Sequence, residues 1–428
     1  MDRESKPLGL KNTLFLVGGA IGTIVLMVVI IVIFIFATKP DSSPSKTPEE
    51  LVDDALSAMP IIDGRNLFAS NIRELVFNDL SKFNFSTNLN ETYPWSESSR
   101  TQTDLPKLRD GRVGAVFWSA LVGCQSQHKD AVSETLEQVD IIQRLIHLYK
   151  EDLRLVLTAQ ELEEAIEGKV IGSLISIGAG QSIQSSIAVL RQFYQLGVRS
   201  VALTQECHTP WADSSVDKGN ITSSGISAFG ELIIEEMNRL GLVIDLSYAS
   251  KDAALSTLKH SVAPLIFSTS GAHSICPDPR NLDDEVLKLV AEKNGVIMVR
   301  VDAHNLECAG RPGTIQDIAE HIDYIRTTSS IDNVGIGGNY DGTHNPALDL
   351  EDPSKYPDLF LELATTQRWS QEDLEKLSGR NLLRVFKSVE QVRDILMTRE
   401  PIQTTITKHE LEQKRVDQSC MTAKYKEL

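Results

Sequence analysis

The chain has 428 residues, too many for one small module and enough for a large domain with appendages. Its 41 % hydrophobic and 24 % charged residues are globular proportions, which excludes disorder of the whole chain. A balance of 42 basic against 59 acidic residues leaves a net charge of −17 and argues against nucleic acid as a partner, because phosphate binding needs a basic footprint.

Taken from the N-terminus, residues 1–12 carry Arg3, Lys6 and Lys11 and precede Thr13–Ala37, a run of 25 residues without a charge. That run exceeds the roughly 20 residues a helix needs to cross a bilayer and the roughly 7–15 of a cleavable signal. It predicts a retained signal anchor, with a buried core helix as the plain alternative. Lys39 and Lys46 follow the span among Asp41, Glu49 and Glu50, so the positive bias points the N-terminus inward. The expected protein is therefore single-pass and type II, with its bulk extracellular or luminal. The end, Lys424–Leu428, lacks the apolar stretch of a C-terminal lipid anchor, which leaves the N-terminal helix as the expected anchor. Residues 38–50, rich in Pro, Ser and Lys, read as a stalk. Asn84-Phe-Ser86, Asn90-Glu-Thr92 and Asn220-Ile-Thr222 fit the glycan acceptor pattern.

Beyond the stalk, apolar runs of strand length alternate with amphipathic stretches. The runs are Pro60–Asp63, Gly114–Leu121, Leu153–Thr158, Gly172–Ile177, Arg199–Thr204, Leu242–Leu246, Pro264–Ser268, Gly295–Val301 and Asn333–Gly338. Helical periodicity marks Ala131–Tyr149, Ser186–Leu196, Gly230–Leu240, Leu282–Lys293 and Ile315–Arg326, then Trp369–Leu377 and Asn381–Val392. Strands that are apolar throughout predict burial on both faces, as in a parallel sheet. The fold class is thus α/β, a (β/α)8 TIM-like barrel over 51–400, followed by a tail over 401–428. An open doubly wound sheet is the alternative. In a barrel, chemistry sits where the strands end. Those ends carry Asp63 to Leu67, Gly178 to Gln181, Gln205 to His208, Ser247-Tyr248, Thr269, Asp302 to His304 and Asn339 to His344.

Several stretches now resemble one family: Phe117-Trp-Ser, Lys129-Asp-Ala-Val, Thr135-Leu-Glu-Gln-Val-Asp, Thr209-Pro-Trp-Ala-Asp213, Arg280-Asn281, Gly337-Gly-Asn-Tyr-Asp-Gly342, Lys355-Tyr-Pro-Asp-Leu359 and Asn381-Leu-Leu-Arg-Val-Phe386. From about Leu51 to Cys420 the chain resembles the membrane dipeptidase (renal dipeptidase) family. The resemblance implies a barrel that hydrolyses dipeptides with two glutamate-bridged zinc ions. It also implies that the ligands are gone. The His and last Asp of the family's Asp-Gly-His-Asn-Asp fall on Arg65 and Leu67. The bridging Glu falls on Gly178, and the His that follows it on Gln181. Two further His ligands fall on Tyr248 and Thr269, a substrate-side His on Gln205, and a catalytic acid on Asn339. Only Arg280 matches a functional position, a substrate-binding arginine.

Zinc pairs need imidazole and carboxylate donors. Arg65 cannot deprotonate to become a ligand, and Leu67, Gly178 and Thr269 offer no anion. Without a metal no bound water is acidified. The resemblance further implies disulfides Cys124–Cys207 and Cys276–Cys308, with Cys420 linking two subunits. This suits five cysteines, an odd number, in a luminal chain. The expected function is a membrane-anchored pseudoenzyme without a cofactor, acting as a receptor-like binding protein or as a regulatory subunit. It would form a homodimer or heterodimer through Cys420. The competing reading is an active dipeptidase whose zinc site has moved to His208, His273, His304, His344 and Asp341, near Glu206 and Asp302. Arg65 is expected to stand in for a zinc charge by pairing with Asp341 or Glu206, or else to face water. Arg280 is expected to bind a carboxylate, or to pair with Asp283 or Asp284.

Overall fold

The computed structural model describes residues 27–28, 46–219, 224–303, 308, 310–414 and 416–419. The chain divides into two compact units, Met1–Thr47 and Pro48–Leu428. In the first, Met27 and Val28 are helical. The rest of the expected membrane span Thr13–Ala37 lies outside the described residues, as do Asn220, His304 and Cys420. Among the described residues no helix is long and apolar enough to cross a membrane.

Every apolar run in the second unit forms a strand. These are β1 (Ile61–Asn66), β2 (Val113–Ala120), β3 (Leu153–Leu155), β4 (Ile171–Ile177), β5 (Val198–Ala202), β6 (Val243–Asp245), β7 (Ile266–Ser270), β8 (Val296–Arg300) and β9 (Val334–Gly337). All pairings between these strands are parallel, in the order β2-β1-β9-β8-β7-β6-β5-β4. The ring closes where Ala115–Ala120 of β2 run beside Gly172–Ile177 of β4. Eight parallel strands make the barrel. The ninth, β3, is an infill: it pairs with Ile171–Ser173 of β4, whereas β5 pairs with Ile175–Ile177 of the same strand. Burial of the barrel strands on both faces explains why their sequences do not alternate.

The outer ring holds the expected helices Ala131–Leu148, Ile187–Gln195, Ala228–Leu240, Asp284–Glu292 and Ile315–Thr328. Ala159–Glu167 and Lys251–His260 join it, with too few large apolar residues to stand out by periodicity. Four of these helices start on a hydroxyl: Thr158, Ser186, Ser227 and Ser250 each accept a backbone N–H three residues on. Each cap contributes about 1 kcal/mol. A further helix, Pro48–Ala58, begins inside the segment read as a stalk. Proline opens it because its missing N–H needs no intrahelical partner there.

The β1–β2 connection is the main elaboration. After the helix Phe68–Val76 it runs through short turns that gather an aromatic cluster. Phe68 stacks on Phe85 and Trp95 at 4.7 and 5.2 Å, and Trp118 of β2 lies 6.4 Å from Phe68. All four rings are buried. Two disulfides brace the loops at the strand ends: Cys124–Cys207 joins those after β2 and β5, and Cys276–Cys308 those after β7 and β8.

Candidate functional site

At the C-terminal end of the barrel, β1 runs on beyond its pairing with β9. Asn339 N donates to Arg65 O (2.8 Å) and Leu67 N to Tyr340 O (2.9 Å). The loop after β9 turns through two left-handed residues, Asn339 (φ 53°) and Asp341 (φ 62°), types that tolerate this region. Gly338 is needed beside them, because a Cβ would lie 2.4 Å from Tyr356 Oη and 2.6 Å from Asp63 Oδ2. Asp63 itself accepts from Gly338 N (2.7 Å), Arg65 N (3.1 Å) and Tyr356 Oη (2.9 Å). Burial outweighs these bonds and pushes its carboxyl up to about 6.

Arg65 points into this mouth and is 1 % exposed. Its Nη2 reaches Gly178 O at 3.5 Å, and Nη1 lies 3.9 Å from Asp245 Oδ2. The partner expected from sequence, Asp341 or Glu206, is not the one found. Asp341 accepts from Asn71 Nδ2 (2.8 Å), and Glu206 is exposed. Position 178 is bare for a visible reason: a Cβ there would stand 3.2 Å from Arg65 Nη2 and 3.2 Å from Leu121 Cδ1. Leu67 is buried against Gly342, where a Cβ would meet its Cδ1 at 2.0 Å.

Tyr248 caps the arginine. Its ring centroid is 5.8 Å from Arg65 Cζ and 6.0 Å from Arg280 Cζ, within cation–π reach. The residue is left-handed (φ 65°), which strains a bulky side chain. Neighbouring backbone holds it there: Ser215 N donates to Tyr248 O (2.8 Å), and Ser214 bridges Ala249. Thr269, fully buried, donates its N–H to Ser247 Oγ (2.9 Å). Gln205 is buried and accepts from the Glu206 N–H (2.7 Å). Gln181 donates to Val122 O (3.0 Å). Arg280, half-buried, lies 3.6 Å from Asp278 rather than beside Asp283 or Asp284. Asp283 faces Lys251 (3.2 Å), and Asp284 accepts from Ser274 and Tyr324.

A family model described as membrane dipeptidase (peptidase family M19) matches residues 50–400. The chain belongs to the membrane dipeptidase family. Dipeptidase 3 of Mus musculus is 41 % identical over 359 residues, which span 82 % of this chain and 70 % of that protein. Dipeptidase 3 of Homo sapiens is 40 % identical over 351 residues, or 81 % and 69 % of the two chains. Among solved structures, the probable dipeptidase PvdM from Pseudomonas aeruginosa superposes with a TM-score of 0.71 at 17 % identity, covering 81 % of this chain and 99 % of that one. A metallo peptidase from Rhodobacter sphaeroides, liganded with a phosphinate mimic of L-Ala-D-Ala, gives 0.67 at 19 %, covering 77 % and 99 %. At such identities the structural likeness is one of fold.

In this membrane dipeptidase chain the candidate histidines do not converge. His208 and His273 line a cleft of about 370 Å³ beside the mouth, with Asp213, Asp217, Lys251 and Asp283. His208 Nδ1 accepts from Ser214 N (3.0 Å), and His273 Nδ1 lies 3.6 Å from Asp283. His344 is exposed on the β9 loop, 2.7 Å from Ser99 Oγ, and Asp341 is buried behind it. Among the described residues no three His, Cys, Asp or Glu side chains are placed to hold a metal ion.

Arg300 and His321 escaped the sequence reading. Arg300 ends β8 with Nη2 2.5 Å from Asp302 Oδ2; a cation closing an otherwise apolar run was the signal available. His321 gave none, because its helix face becomes buried only through packing. Its Nδ1 accepts from Ala272 N (2.9 Å), and burial lowers it to about 4. It thus stays neutral in the fold, and the stability this leaves intact above about pH 6.5 is lost as the pH falls towards 4.

Asp341 runs the other way. Burial pushes it up to about 7, so stability present below pH 3.8 is lost as the pH rises through 7. Asp341→Asn keeps the bond from Asn71 and removes the titration. Its melting temperature relative to wild type is expected to climb with pH, the free-energy gain growing by about 2–3 kcal/mol between about pH 5 and pH 8. His321 is common to both proteins and cancels. A flat difference in calorimetric scans across that range would show that Asp341 is ionised in the fold throughout.

Proposed function

We propose that this chain is a non-hydrolytic member of the membrane dipeptidase family, a binding protein whose barrel mouth no longer holds zinc. Arg65 carries the reading. It is a permanent cation buried at the end of β1, against the backbone of Gly178 and 3.9 Å from Asp245. Two divalent cations need carboxylate and imidazole donors that offset their dehydration and mutual repulsion. Arg65, Leu67, Gly178, Tyr248 and Thr269 supply neither kind, so the residues present do not fit a zinc pair, and no hydrolytic step is derived through one. The same reading has the chain anchored as a type II membrane protein by Thr13–Ala37, with glycans on Asn84, Asn90 and Asn220. Asn84 and Asn90 are exposed, as acceptors must be. Cys420 joins it to a second copy or to an active relative, which leaves a receptor-like or a regulatory role.

The test is made on full-length protein in detergent. Elemental analysis is expected to find far less than one zinc per chain, and a dipeptide panel to release amino acids no faster than buffer. Near-stoichiometric zinc, with turnover abolished by a chelator, would overturn the proposal and favour an active dipeptidase with an altered site.

A further inference from the structure

Two guanidinium groups flank one phenol ring at the mouth, and a third interacts with it. Arg65 and Arg280 each lie about 6 Å from the Tyr248 centroid. Arg300 neighbours the same side chain: Tyr248 and Asp302 together hold it above its ordinary range, against the downward pull of burial. Arg65 and Arg300 are each 1 % exposed, and Arg280 opens towards solvent with its side chain 25 % exposed.

What sets this cluster apart is its unused donors. Asp245, the carboxylate nearest Arg65, already accepts from Ser247 N (2.9 Å), Ser247 Oγ (2.7 Å), Ser268 N (3.0 Å) and Ser268 Oγ (2.5 Å). At 3.9 Å it makes no hydrogen bond to Arg65. Arg300 gives Nη2 to Asp302, and Arg280 Nε stays 3.6 Å from Asp278. Nε and Nη1 of Arg65, Nε and Nη1 of Arg300, Nε of Arg280 and Oγ1 of Thr269 are all buried without a hydrogen-bond partner among the described residues. A guanidinium cannot discharge itself, so these donors call for acceptors. Planar, multidentate anionic oxygens match the guanidinium fork best.

We propose that the barrel mouth is an oxyanion-binding site, in which Arg65, Arg300 and Arg280 grip the carboxylate or phosphate group of a small ligand around Tyr248. This rests on the metal-free reading above, since zinc ions and three guanidinium groups would repel one another in the same space. Arg280 forms the open side and meets the ligand first; Arg65 and Arg300 supply the buried donors. The site then recognises a charge and a shape, with no bond made or broken.

Full-length protein in detergent is titrated calorimetrically with inorganic phosphate, succinate and, at matched ionic strength, chloride. Saturable binding is expected for at least one oxyanion and not for chloride. Preference for phosphate would point to a phosphorylated ligand, preference for succinate to a carboxylic acid, and either supports the site. Arg65→Met is expected to weaken binding by about tenfold or more, the loss of a charge-assisted pair of bonds. Arg65→Lys, which keeps the charge without the fork, should fall between the two and serves if the methionine variant does not fold. Binding equal to that of chloride, or unchanged in both variants, overturns the site. Zinc content is measured on the same sample. A zinc-free protein that ignores oxyanions refutes this inference alone, whereas a zinc-loaded one refutes the reading beneath it.

Discussion

Full-length protein carrying Cys124→Ser and Cys207→Ser will lose about 4.5 kcal/mol of stability, the chain-entropy value for so long a closed loop. The bridge spans 83 residues, from the loop after β2 to the loop after β5. It therefore restrains the unfolded chain across three consecutive strands, β3 to β5. Cys276–Cys308 closes only 32 residues, and its removal should cost less, about 3.7 kcal/mol on the same basis. Urea unfolding without reductant, comparing both double variants with wild type, measures the order. Equal losses, or losses under about 1 kcal/mol, would mean that loop closure is not how these bridges act.

Arg300→Leu is expected to cost about 3–5 kcal/mol, because it removes the cation of a buried ion pair. Arg300 and Asp302 are both buried and 2.5 Å apart at the end of β8. Arg65→Met should behave differently, within about 1 kcal/mol of wild type, since the carboxylate it leaves behind is held by four other donors. Thermal unfolding of the two variants side by side gives the contrast. If Arg65→Met proved the more damaging, Arg65 would be a strut between strand ends rather than a group held ready for a ligand.

The architecture was legible because burial on both faces leaves a plain mark. Each of the nine apolar runs became a strand, with ends shifted by a few residues. What periodicity could not convey was that Leu153–Leu155 stands outside the eight-strand ring, since an infill strand and a ring strand are equally apolar. A helix such as Lys251–His260 leaves a faint mark for another reason: the residues it buries, Ala253, Ala254, Thr257 and Leu258, are mostly small or polar. The set of residues at the mouth followed from the strand ends, but their partners did not. The expected partners of Arg65, Asp341 or Glu206, are engaged elsewhere or out of reach: Asn71, from the helix after β1, donates to Asp341, and Glu206 is exposed. The disulfide pairing came from family resemblance alone, and both bridges are formed in the structure. Arg280 found Asp278 because a tight turn brings residues two apart together, a closeness that strand-end reasoning does not register.

The contact between Arg65 and Gly178 also ties two positions together. A Cβ at 178 would stand 3.2 Å from Arg65 Nη2, so a side chain there obliges the guanidinium to shift by a few tenths of an ångström. Exchanges at 65 and 178 are therefore not independent: what one position tolerates depends on what occupies the other.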